Sequence, residues 1–95
     1  MTPFERCRVT AVENGPAAYT LVLTFTPTGP DGRPERRLFD ASPYLDAGVF
    51  RELREPAYFR RVRLDSAFGT AEWPHEQDFD PATLYAESLP LVAGE

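Results

Sequence analysis

Tyr19-Thr20-Leu21-Val22-Leu23-Thr24-Phe25-Thr26 is the stretch on which the fold turns. Tyr19, Leu21, Leu23 and Phe25 alternate with Thr20, Val22, Thr24 and Thr26, the period of a strand with one face buried. All eight residues favour a pleated backbone. Upstream, Arg6 to Val12 reads as a partner strand, with Cys7, Val9 and Ala11 on one face and Arg6, Arg8 and Thr10 on the other. Glu13-Asn14-Gly15-Pro16 lies between them. Asn and Gly tolerate positive φ, so the chain reverses there into a hairpin.

Ten prolines punctuate the rest. Proline fixes φ and lacks an amide donor, so it bounds elements. Pro27 to Pro34 forms a second turn, and Arg36 to Asp40 a third strand. Ser42-Pro43 starts a short helical turn, with Ser as cap. Val49 to Arg54 is a second short helix with Val49, Phe50 and Leu53 on one face, stopped by Pro56. Phe59 to Asp65 and Thr70 to Trp73 are the fourth and fifth strands. Asp80-Pro81 caps and opens a final helix to about Ser88, with Leu84, Tyr85 and Leu89 inward. The expected fold is α+β: a small two-layer domain of about five mainly antiparallel strands, with short helices and a C-terminal helix. Residues 1–95 form one domain in this reading, with an ordered core over about 4–90 and a frayed tail over 91–95.

Hydrophobic residues are 42% of the chain and charged residues 26%, the globular range, which excludes wholesale disorder. No stretch approaches the ~20 apolar residues of a membrane span, and Met1 to Arg6 lacks the apolar core of an export signal. A cytoplasmic protein is expected. One cysteine, Cys7, excludes an internal disulfide framework and a multi-Cys zinc site. The formal charge is −5, and every basic residue is arginine. Residues 1–32 carry −1, residues 33–63 carry +3 and residues 64–95 carry −7. The acidic last third would repel a phosphate backbone, so nucleic-acid binding by this chain alone is not expected. It would attract a basic protein partner. Nine Leu, six Val, seven Phe, four Tyr and one Trp suffice for one modest core. They do not suffice for a core plus a pocket of ~300 Å3 or more, which argues against an enzyme.

Trp73-Pro74-His75-Glu76-Gln77-Asp78-Phe79-Asp80-Pro81-Ala82-Thr83-Leu84-Tyr85 resembles the signature of a small bacterial family catalogued as a domain of unknown function. Leu21 to Phe25, Phe39-Asp40, Gly48 to Leu53 and Pro56 to Phe59 resemble it in order and spacing, so the likeness covers about residues 9–89. It implies an α+β domain with no established enzymatic activity. It also implies relatives fused to helix-turn-helix domains, and others encoded beside another small protein in toxin–antitoxin-like pairs. Two departures stand out. Glu76 falls near the loop glycine usual in the family, so that turn is expected to differ in geometry or be looser. The chain ends at Glu95, without room for a helix-turn-helix.

The candidate interaction or signature residues are Asp40, Trp73, Glu76, Asp78, Leu84 and Tyr85. The basic cluster is Arg60, Arg61 and Arg63, which Asp65 and Glu72 could neutralise across a hairpin. Trp73 reads either as core, with its indole N–H on a loop acceptor, or as a partner hot spot. A cation site from Glu72, Glu76, Asp78 and Asp80 lacks the glycine and terminal Glu of a calcium loop. His75 has no nucleophile placed beside it by any sequence feature, and Cys7 reads as a small buried hydrophobe. No catalytic residue, metal or cofactor is expected. The function read from the sequence is a non-enzymatic protein-interaction module, an antitoxin-like or regulatory member of a two-gene pair, with another small protein as partner and a homodimer as its own state. The alternatives are a small-molecule sensor domain and a minor hydrolase.

Overall fold

The computed structural model describes residues 8–26 and 34–91. Cys7, the Pro27–Arg33 part of the second turn and the tail from Val92 lie outside the described residues. Three strands, β1 (Val9–Asn14), β2 (Thr20–Phe25) and β3 (Glu35–Asp40), follow in sequence. Two 3-10 segments (Ser42–Tyr44 and Gly48–Arg54) lead to α1 (Pro56–Phe59). The hairpin β4 (Arg63–Asp65) and β5 (Thr70–Glu72) precedes α2 (Pro81–Ala86) and a two-residue β6 (Leu89–Pro90). The architecture is α+β. Its strands form a four-stranded antiparallel sheet in the order β1-β2-β3-β6 and a separate two-stranded sheet, rather than one sheet of five.

The alternation of β2 sets the inner face: Leu21, Leu23 and Phe25 are all fully buried. Phe39 of β3 pairs with Leu21 and is buried with them. β1 departs from simple alternation. A bulge between Val9 and Ala11 places two β1 residues against one of β2, so Val9 opposes Phe25 and Val12 opposes Leu23. The extra residue moves the inward set from Ala11 to Val12, which packs against the core. The expectation that Ala11 continues the face of Val9 is corrected by that bulge.

The inner face of β3 also carries Arg37, opposite Leu23, and Glu35, opposite Phe25. A guanidinium largely withdrawn from water needs partners. Arg37 donates to Glu35 Oε2 at 2.6 Å, to Ser88 O at 2.6 Å and to Ser88 Oγ at 2.7 Å, and lies 4.2 Å over the Tyr85 ring. Tyr85 in turn donates to Glu35 Oε1 at 2.7 Å and meets Phe25 edge-on. These contacts dock α2 over the sheet, with Leu84 fully buried beneath it.

Several boundaries differ from the expectation. Pro56 begins α1 instead of only ending the segment before it, because a missing amide costs nothing in a first turn. The fourth strand therefore starts at Arg63, not Phe59; Tyr58 and Phe59 are buried helical residues. Ala41, not Ser42, occupies the cap of the first 3-10 segment. Val49 lies outside the core, 70% exposed, while Phe50 and Leu53 pack inward. Leu89, expected inward on the last helix, is 70% exposed on β6, where Leu38 is its partner. Pro90 extends the sheet at an edge, a position that requires no amide donor of it.

Candidate functional site

The loop from Trp73 to Asp80 alternates between anchors and free side chains. Trp73 is fully buried, and its indole Nε1 donates to Phe59 O at 2.8 Å. It is the core residue its position suggests rather than an exposed hot spot. Its backbone closes the loop: Trp73 N donates to Gln77 O at 2.9 Å, and Glu76 N donates to Trp73 O at 3.0 Å. Glu76 has φ of 71°, the left-handed region that glycine prefers. The loop thus holds a glutamate in a conformation that glycine adopts more readily.

Gln77, only 3% exposed, is the second anchor. Its amide donates to Glu52 Oε1 at 2.8 Å and to Val49 O at 3.2 Å, and its Oε1 accepts from Tyr58 OH at 2.7 Å. The Tyr58 hydroxyl also accepts from His75 N at 2.8 Å. Phe79, the third anchor, stacks on Phe50 at 4.7 Å between ring centres. Its carbonyl accepts from the Thr70 hydroxyl. Asp80 caps α2 by accepting from Ala82 N at 2.9 Å. Glu76 and Asp78 point outward between these anchors and are exposed.

His75 joins the loop to the second 3-10 segment. Its Nδ1 lies 2.7 Å from Glu52 Oε2, and its ring stacks on Tyr58 at 5.2 Å. The His75 hydrogen bond, then that of Gln77, holds the Glu52 carboxyl below the usual carboxylate range. A carboxylate that orients an imidazole is half of a nucleophilic triad. Here the ring stacks on Tyr58, whose hydroxyl already donates to Gln77. The pairing of Glu52 with His75 was invisible in the sequence, where 23 positions separate them.

The other singled-out residues lie apart. Asp40, at the end of β3, accepts from Ser42 N at 2.9 Å and from the Ser42 hydroxyl, which hold its carboxyl low and secure the first 3-10 segment. Leu84 and Tyr85 belong to the docking of α2. The basic cluster separates: Arg63 pairs with Glu72 across the hairpin at 3.1 Å, Arg61 lies 5.9 Å from the centre of the Tyr58 ring, and Arg60 ends α1. Asp65 instead accepts from Ala67 N and Phe68 N in its own turn. Among the described residues, no group of three or more His, Cys, Asp or Glu side chains could hold a metal ion. No helix among them is long and apolar enough to cross a membrane.

A hollow of about 180 Å3 opens on the opposite flank of α1. Gly15, Ala17, Ala18, Pro56, Phe59 and Arg60 are among its walls. The turn beside it is locked. Gly15 N donates to Thr20 O at 2.8 Å, and the Thr20 hydroxyl donates to Ala17 O at 2.6 Å while accepting from Ala17 N at 3.2 Å. Tyr19, with φ of 61°, sends its hydroxyl to Arg54 O at 2.6 Å and its ring edge-on to Phe59. The hollow is lined by two segments some 40 positions apart, which no linear motif signals.

No curated protein and no solved structure matches the chain. The profile of one family matches residues 9–90, a span that takes in the whole described fold from β1 to β6. The chain therefore belongs to the family described as a protein of unknown function (DUF2442).

Proposed function

We propose that this protein is a non-enzymatic interaction module that docks a basic surface of another small protein through its Trp73–Asp80 loop. One observation carries this reading. Glu76 and Asp78 are exposed, yet the backbone that bears them is fixed by three buried neighbours, Trp73, Gln77 and Phe79. A partner that binds fixed charges need not order a loop, so more of the contact energy appears as affinity. Val49 is held beside the loop, because its carbonyl accepts from Gln77, and it is 70% exposed. An apolar centre rimmed by carboxylates suits a partner whose arginines or lysines surround an apolar residue. The Glu52–His75 pair supports the non-enzymatic reading, since its contacts end on Gln77 and Tyr58, which satisfy one another.

In its narrower form the proposal makes the chain the antitoxin-like or regulatory member of a two-gene pair in the bacterial cytoplasm. The test mixes the purified chain with the product of the adjacent gene on a size-exclusion column. A complex is expected at low salt that weakens as ionic strength rises. The double variant Glu76→Lys/Asp78→Lys should lose it while keeping its melting temperature. Absence of a complex at low salt, or a complex indifferent to the double variant, overturns the reading.

A further inference from the structure

We propose that the hollow between the Asn14–Thr20 turn and α1 is a binding site for a small free carboxylic acid with a single ring or a short apolar body. This site is separate from the Trp73–Asp80 loop and does not depend on what that loop binds. Three observations converge on it.

The first is size. The hollow measures about 180 Å3. Cavities of about 150 Å3 accept a benzene ring, so one ring with its carboxylate matches the space. The second is chemistry. Ala17, Ala18, Pro56 and Phe59 offer apolar wall for the body of a ligand. Arg60 lines the same hollow and is exposed. Among the described residues its guanidinium has no ion pair, whereas Arg36, Arg37, Arg54 and Arg63 each have one. A guanidinium presents a planar fork matched to a carboxylate, and that match is strongest against an apolar background. Arg60 is also fixed at its root, because its carbonyl accepts from Asn14 Nδ2 at 3.1 Å across the hollow.

The third is preorganisation. Tyr19 adopts a left-handed backbone that L-residues rarely accept. Gly15 lies so close to Thr20 that a Cβ there would fall 2.2 Å from Oγ1. Both features hold the wall open in one shape. Strain of this kind collects where a binding surface must be kept rigid. The Tyr19 and Thr20 hydroxyls are occupied by Arg54 and Ala17, so the ligand meets apolar surface and one cation rather than competing donors.

The experiment titrates the full chain, labelled with 15N, with sodium benzoate and follows amide shifts. Benzamide serves as a neutral probe of equal shape, and acetate as the charge without the ring. Benzoate should shift the amides of Ala17, Ala18, Tyr19 and Arg60 in a saturable manner. Benzamide and acetate should each bind at least about fivefold more weakly, and Arg60→Gln should weaken benzoate by about tenfold, the factor set by loss of one charge-assisted contact. Arg60→Gln is expected to melt with the parent, since Arg60 has no ion pair to lose. A second variant, Ala17→Leu, narrows the hollow and should exclude benzoate while leaving Arg60 in place. Benzoate shifts that map elsewhere, no shifts at all, equal binding of benzamide, or undiminished binding by Arg60→Gln overturns the proposal.

Discussion

Tyr19 and Glu76 share a backbone conformation and little else. They are the two non-glycine residues with positive φ among the described residues, at 61° and 71°. Tyr19 compensates the strain with its own side chain, through the Phe59 ring and the Arg54 carbonyl. Glu76 contributes nothing with its side chain. Its turn is held by its neighbours, through the Trp73–Gln77 and Glu76–Trp73 main-chain bonds and the buried side chains on either side. The contrast teaches that a strained position secured by its own side chain is committed to the fold. One secured by its neighbours leaves that side chain available to a partner.

Tyr19→Gly is the strongest test of the contrast. Glycine relieves the left-handed backbone by about 1 kcal/mol, but removal of the ring costs about 3–4 kcal/mol, so unfolding in urea should show a net loss of about 2–3 kcal/mol. A gain in stability would place Tyr19 in the same class as Glu76. Glu76→Gly should move the other way, raising stability by about 0.5–1 kcal/mol, because relief of the left-handed conformation slightly exceeds the entropy glycine loses. Loss of stability there would mean the glutamate side chain supports its turn.

The smallest expected effect is in acid. The Glu52 carboxyl is held low by His75 and then Gln77, so its contribution is complete above the ordinary glutamate value of about 4.5 and is lost as the pH falls through the lowered value. Both partners are partly exposed, which screens the pair. Thermal melts at stepped pH should therefore show a shallow additional decline below about pH 4.5 that His75→Ala reduces, with the Gln77 bond keeping the remainder. An unchanged acid profile in that variant would detach the loop from the 3-10 segment energetically.

The parts of the fold that were legible in advance are those where one physical rule acts alone. β2 was readable because its alternation is uninterrupted and all of its odd-numbered side chains are buried. The Asp80 cap was readable because capping is local. β1 was misread past Val9, because a bulge is a tertiary decision that leaves no mark on the composition. Phe59 to Val62 looked like strand because aromatic and β-branched residues favour it, yet Pro56 starts a helical turn that buries Tyr58 and Phe59. β6 was missed because Pro90 reads as a stop, although at a sheet edge it does no harm. In the candidate site, Trp73 was legible as a possible core residue, but its neighbour Gln77 was not singled out. A buried glutamine announces itself only through its partners, and those come from Glu52, Val49 and Tyr58.

At six residues, α2 is too short to persist in water by itself. It exists because Arg37 holds Ser88 and faces the Tyr85 ring, and because Leu91 N reaches Arg36 O at 2.9 Å just beyond β6. Undocking therefore favours unwinding across Pro81 to Leu91, and the Arg37 guanidinium works beside buried Leu84 as the polar latch of that last stretch.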